Sequence, residues 1–389
     1  MGNKSTTQAQ IQDFQNNYVK HGEEDNKNYG HVSYYHNKYA PSEMVMLKSQ
    51  WSNSLAESED MDAIIANRQN INHPNIAKTT SYIKQDEKQW CSTFRKHTTA
   101  FEFHENNLEA EIAKRVGSRS VASGPVTLTE PEFWYLTNSL VSADTTMARE
   151  GNAYHGNLQP STVMLDNNGI VKVLDNQLVH FHKNTYQRML YDRNVKAPLS
   201  PNLLEQLKEK RVNPNYDPSR EESWALGMTA LCAATNTNLD YFYDWKVPEI
   251  RWMNVHDKLD SVNGPYSKQV HGFIESCLEE TEERRPTMED HERFLRPYQT
   301  EINTHTLDFK TRNVKREETV VKPSTNTIEE HTIIPYNGIV DNDDDFFNQK
   351  VVIEKVVQTN VQSLPPQPAI IPVISDNFFD YQEVIRERI

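Results

Sequence analysis

The chain of 389 residues is 36% hydrophobic and carries a formal net charge of −14. That length allows one large domain or two small ones with a substantial core. The acidic balance argues against a nucleic-acid partner, whose phosphates need clustered Lys and Arg. No apolar run approaches the ~20 residues that span a bilayer, and no secretory signal is visible at the amino end. Cys91, Cys232 and Cys277 are odd in number and widely spaced, as expected of reduced thiols in a cytosolic protein. The 14 His residues are scattered without an HExxH pair, so a metal site built from protein ligands alone is not expected.

Met1-Gly2-Asn3-Lys4-Ser5-Thr6 fits the N-myristoylation pattern, which makes Gly2 a candidate lipidation residue. One acyl chain binds membranes only reversibly, and residues 7–30 add no polybasic second signal. Membrane contact is therefore expected only where Gly2 is acylated. Residues 1–28, rich in Gln, Asn and charge, predict a polar leader that is flexible or partner-bound.

From Tyr29 to Leu47, "YGHVSYY" and "MVMLK" predict strands. Residues 55–71 carry Leu55, Met61, Ile64, Ile65 and Ile71 at helical spacing, and "NHPN" ends that helix. Two or three strands are expected to follow, up to Phe103. Helices are expected over 129–150, 201–211, 220–234, 266–278 and 287–296. Between the first two, "TVMLDNNGIVKVLD" reads as two short strands around an Asn-Asn-Gly turn. Beyond Pro297 come the acidic cluster Asp341, Asp343, Asp344 and Asp345 and the extended stretch "SLPPQPAIIPVI". Residues 298–389 thus predict a tail, either solvated or docked on another protein through "VVIEKVV" and "IIPVI".

The segments "YGHV", "VMLK", "NHPNI", "HGNLQPS", "VLDNQL", "LSPNLLEQL", "SWALGMT" and "ERRPT" follow one another in this order. In their conjunction, residues 25–297 resemble a degenerate, pseudokinase-like member of the eukaryotic protein kinase superfamily. The resemblance implies an α+β, bilobal fold. A small β-rich lobe would span 29–103 and a larger α-helical lobe 104–297, followed by an extended acidic tail over 298–389.

It also implies roles residue by residue. Gly30 keeps the end of a glycine-rich loop, while Asp25 and Lys27 fall where its first two glycines would stand. Lys48 takes the place of the phosphate-pairing lysine, so Gly30 and Lys48 are the candidates for holding nucleotide. The matching point for the lysine's glutamate partner falls near Ile64. In the catalytic loop His155 is kept, and Gly156 replaces an arginine. The proton-accepting aspartate becomes Asn157, the phosphate-steadying lysine Gln159 and the second-metal asparagine Thr162. An amide cannot act as a base at neutral pH. Asp175 stays where the family holds Mg²⁺ with nucleotide, and it reads equally as an acidic cap at a strand end.

Ser200-Pro201-Asn202 replaces Ala-Pro-Glu, leaving Arg285 at best a neutral hydrogen bond to Asn202. Glu222 stands for the aspartate that braces the catalytic loop, and Trp224, Leu226 and Gly227 keep a buried helix. Residues 178–199 occupy the activation-loop place with Thr185, Tyr186 and Tyr191, and are expected to be fixed by packing. No arginine stands at 156 to read a phosphate there.

Chemical positions are emptied where structural ones are kept. The leading expectation is a catalytically inactive scaffold or structural subunit that binds other proteins through its lobes and tail and requires no cofactor. Two alternatives stay open: a switch that binds ATP and Mg without turnover, and a Ser/Thr kinase with residual activity on Lys48 and Asp175. The expected location is cytoplasmic, membrane-peripheral where Gly2 is acylated, or cytoskeletal or ciliary by analogy.

Overall fold

The computed structural model describes residues 2–89, 92–117, 128–181, 184–302 and 306–307. Helix α1 (Gly2–Asn17) leads into strands β1 (Tyr18–Asn26), β2 (Gly30–Asn37) and β3 (Met44–Ser52). Helix α2 (Leu55–Arg68) precedes β4 (Thr79–Gln89) and β5 (Ser92–Phe103). The five strands form one antiparallel sheet in the order β1-β2-β3-β5-β4. With the helices that follow, the architecture is mixed α+β.

The leader expected over 1–28 differs from this structure. Its first part is α1, and Tyr18–Asn26 pair with β2 from Tyr18↔Asn37 to Asn26↔Gly30. The reason is physical: β1 is an edge strand and mostly exposed, so its ladder forms without an apolar face. Hydrophobic alternation therefore marks β2 and β3 and is silent for β1.

Helix α2 begins at Ser54, whose side chain accepts from the Glu57 N–H, and buries Ser58, Met61, Ile65 and Arg68 at helical spacing. That stripe meets Tyr29, Val32, Met46, Phe101, Met164 and Leu174 in one apolar cluster, with Ile64 packed at its margin.

The remaining elements are mostly helical. They are α3 (Leu108–Gly117), α4 (Glu130–Gly151), the pair β6 (Val163–Leu165) and β7 (Val171–Val173), α5 (Asn176–His180), α6 (Thr185–Tyr191) and α7 (Pro201–Lys208). Helix α8 (Pro218–Thr235), the pair β8 (Tyr243–Asp244) and β9 (Glu249–Ile250), α9 (Trp252–Val262), α10 (Lys268–Cys277), α11 (Met288–Leu295) and α12 (Gln299–Ile302) complete them. Helix α4 starts on a reciprocal capping box between Thr129 and Glu132, with proline in its first turn. Glu132 also joins Glu111 in clamping the buried Arg115, each pair at 2.8 Å.

Helix α8 is buried almost all round. A Cβ at Gly227 would lie 2.5 Å from the Cys277 Cβ, so only glycine lets α10 approach this closely. Trp224 donates to the Tyr243 hydroxyl (2.9 Å), and that hydroxyl donates to the Leu199 carbonyl (3.1 Å). Arg285 lies over the Trp224 ring, 5.0 Å from its centroid, and donates to the carbonyls of Glu279 and Arg220. Its Nη2 donates to the Glu280 carbonyl at 3.4 Å, while Asn202 donates to Glu282 at 2.5 Å. In place of the expected Asn202–Arg285 bond, Arg285 donates to the carbonyls of Arg220, Glu279 and Glu280.

The start of the expected tail is docked. Ile302 and Leu307 are buried, and the Leu307 N–H donates to the Gly169 carbonyl at 3.1 Å. Gly169 has φ +82°, and a Cβ there would lie 1.9 Å from the Leu307 carbonyl oxygen. The acidic cluster, the extended stretch and Cys91 lie outside the described residues.

Candidate functional site

The residues at the catalytic-loop place come together as a closed neutral network. Asn157, Gln159 and Thr162 are all nearly inaccessible. The Gln159 amide donates to Asn157 Oδ1 (2.8 Å) and to the Lys196 carbonyl (3.0 Å). Thr162 donates to the Asn157 carbonyl at 2.7 Å. The Gln159 and Asn157 side chains thus bond each other while Thr162 bonds the loop backbone, and none of the three can take up a proton at neutral pH. His155 sits behind them with Nδ1 accepting from the Asn157 N–H (3.1 Å), and burial holds its imidazole down at about 3. Glu222, at the base of α8, accepts the Gly156 N–H and so braces this loop from the helix.

Asp175 caps α5 by accepting the Gln177 N–H at 3.0 Å. Its other oxygen accepts from Arg68 Nε at 2.6 Å, and the two side chains are 4% and 2% exposed. Arg68 also donates to the carbonyls of Gly151 (2.6 Å) and Ala153 (3.2 Å). Burial pushes the Asp175 carboxyl upward, and the Arg68 guanidinium opposes that shift. Gly151 closes over the pair, since a Cβ there would lie 2.4 Å from an Arg68 nitrogen.

Among the described residues Lys48 on β3 has no carboxylate partner; its ammonium donates to the His31 carbonyl at 3.3 Å. Burial first, and Arg188 next, push its amine down to about 8, with Asp25 opposing. Ile64, at the point matched to a glutamate, is part of the apolar margin of α2. Gly30 has φ +68°, and a Cβ would meet the Lys48 ammonium at 2.9 Å.

The β1–β2 turn is tied down by residues far along the chain. The Asn28 amide donates to the Ser161 carbonyl (3.3 Å) and hydroxyl (3.1 Å). His180 Nε2 lies 2.8 Å from both the Asn28 carbonyl and Arg188 Nη1. Burial and the adjacent Arg188 hold that imidazole at about 3, so it stays neutral. The space left beside the turn, about 470 Å³, is lined by Glu23, Glu24, Glu105 and Glu109 together with Lys27 and Met164. Carboxylates so placed repel a polyphosphate.

A magnesium–nucleotide centre does not fit these donors. Asp175 is spent on Arg68 and the α5 cap, and the Thr162 hydroxyl on the loop carbonyls. Among the described residues, no three His, Cys, Asp or Glu side chains are grouped to hold a metal ion.

Sequence reasoning passed over Arg68, Arg188, His180 and Asn28. Arg68 left a signal, since it continues the stripe of Met61 and Ile65 on the buried face of α2. A helix arginine in an apolar register needs an internal partner. The other three lie in loops or short helices and carry no such period. Thr185 and Tyr186 are buried and Tyr191 is exposed, with the Tyr186 hydroxyl donating to the Arg211 carbonyl at 2.7 Å. Gly2 begins α1, and nothing further places it.

Compared with known proteins, the chain matches no family model and no curated protein.

Proposed function

We propose that the chain is a kinase-like, bilobal protein without phosphoryl-transfer activity that serves as a scaffold or structural subunit of a protein assembly. The observation that carries this reading is the buried Arg68–Asp175 pair. It turns the carboxylate that would hold Mg²⁺ into a structural link between α2, α4 and α5. The neutral Asn157–Gln159–Thr162 network supports the same reading, because the loop has no base. The order of elements also supports it: a five-stranded antiparallel sheet interrupted by α2, a hairpin after α4, and a buried α8 that braces the Gly156 backbone. The assembly partners are other proteins, met through the lobes and the tail. Acylation at Gly2 would add a reversible membrane contact, and the location is cytoplasmic, including cytoskeletal or ciliary assemblies.

A second reading rests on one observation. Lys48 and Arg188 repel each other, with no carboxylate among the described residues bonded to either, an arrangement that attracts an anion. On that reading the cleft is a nucleotide switch without turnover.

The test is functional replacement in the native cell. A chain carrying Lys48→Met and Asn157→Ala should bring down the same protein partners in the same proportions as the parent. Loss of those partners together with loss of phosphorylated products would overturn the scaffold reading in favour of an enzyme.

A further inference from the structure

Two buried carboxyls meet behind the loop that carries Asn157. Asp144, on α4, accepts the His155 N–H through Oδ1 at 2.6 Å. Glu222, on α8, accepts the next N–H along the chain, that of Gly156, through Oε1. The two acids thus grip consecutive residues, and each has a second oxygen, Asp144 Oδ2 and Glu222 Oε2, that is buried and without a partner. A buried acceptor left bare is costly. Two ionised carboxylates side by side would add their mutual repulsion.

The neighbouring donors are engaged elsewhere. Arg68 donates to Asp175 and to the carbonyls of Gly151 and Ala153. The Tyr154 hydroxyl donates to Glu289 at 2.5 Å, and His155 Nδ1 accepts from the Asn157 N–H. Among the described residues the acids form no metal-holding group of three. The donor that remains is a proton on one of the acids, since a carboxyl group donates only in its protonated form.

We infer that Asp144 and Glu222 share a proton, the Glu222 acid donating from Oε2 to Asp144 Oδ2, and that it closes a pH-sensitive clamp of α4 and α8 on the His155–Gly156 backbone. Every oxygen of the pair then has a hydrogen-bond partner, and the acid–carboxylate bond is of the strong, charge-assisted kind. Burial foremost raises both carboxyls, and the Asp144 charge raises Glu222 further. Glu289 and Asp175 also push Asp144 up while Arg68 pulls it down, and Glu221 pushes Glu222 up. Tyr154 and the neutral His155 are the other titratable neighbours. Carboxyls that ionise at higher pH in the native chain than in the unfolded one stabilise it at neutral pH and below. That contribution is lost as pH rises through the native range of the pair. The inference stands apart from the kinase-like reading, because it uses only two helices and the backbone they hold.

Infrared spectroscopy of the full chain, with glutamate labelled by ¹³C at its side-chain carboxyl, tests it. At pH 7 the parent should show the C=O stretch of a protonated glutamic acid, and a component of that band should vanish in Glu222→Gln. Glu222→Gln and Asp144→Asn each put a fixed N–H where the shared proton stands, and each keeps an oxygen for its backbone N–H. In urea unfolding, the parent's unfolding constant should rise by up to ~10-fold per pH unit, for each proton lost, between pH 7 and pH 9. Either amide should flatten that rise. The double variant sets two NH₂ groups against each other, so it should unfold at least ~10-fold more readily at pH 7 than either single variant. No glutamic acid band in the parent, an unchanged pH slope in both single variants, or a double variant as stable as the single ones would overturn the inference.

Discussion

Replacing Asp175 separates a structural carboxylate from a metal ligand. In Asp175→Ala the Arg68 guanidinium keeps the carbonyls of Gly151 and Ala153 but loses the carboxylate bonded to it, in a site where it is 2% exposed. Stranding one partner of a buried pair costs about 3–5 kcal/mol, and removing the helix cap adds about 1 kcal/mol. These overlap, so a loss of about 4 kcal/mol is expected. At roughly 2 °C per kcal/mol for a domain of this size, the melting temperature should fall by about 8 °C. Asp175→Asn keeps one acceptor oxygen, for the Arg68 Nε or the Gln177 N–H but not for both, and should lose less than Asp175→Ala. Arg68→Met combined with Asp175→Ala should recover much of the loss, because an apolar replacement leaves no stranded charge. The assay is urea unfolding of the four proteins without nucleotide or metal. Asp175→Ala within ~0.5 kcal/mol of the parent, the range of ordinary surface changes, would refute the structural role.

Asp144→Asn should shift the pH profile of stability. Burial foremost raises the native Asp144 carboxyl to about 7, against about 3.9 in the unfolded chain. The native state thus binds the extra proton between these values, and that stabilisation is lost as pH rises through about 7. An amide cannot titrate, so urea midpoints should favour the variant by more at pH 8 than at pH 5; an equal difference at both would count against this. Gly169→Ala would place a Cβ against the Leu307 carbonyl and force φ away from +82°. Limited proteolysis should then cut just after α12 faster than in the parent, and an unchanged rate would mean that Leu307 is not held at this turn. Tyr191→Glu, at a 79% exposed position, should stay within ~0.5 kcal/mol of the parent. Thr185→Glu puts a charge at a 2% exposed site and should cost at least 2 kcal/mol by urea unfolding.

Much of the architecture was legible because local signals agree. The Asn-Asn-Gly turn marked the β6–β7 hairpin, and apolar spacing located α2, α4, α7, α8, α10 and α11 within a few residues. Strand β1 stayed hidden, since an exposed edge strand needs no apolar alternation. Helices α3, α6 and α9 were not anticipated either. For Asp175, sequence offered a metal ligand and a strand-end cap as equals. Choosing between them required Arg68, 107 residues away, which no local pattern connects to it. Arg188 and His180 are comparable: their importance comes from His180 meeting the distant Asn28 carbonyl while Arg188 bonds His180.

The most direct measurement is the thermal stability of the purified chain with and without millimolar Mg-ATP, beside Lys48→Ala and Asp175→Ala. A ligand at ~100 times its Kd stabilises by ~2.7 kcal/mol, which a melting curve resolves readily. The Asn28–His180 contact and the buried Arg68–Asp175 pair predict no shift in the parent and a lower melting temperature for Asp175→Ala with or without nucleotide. A parental shift of that size, abolished in both variants, would contradict this.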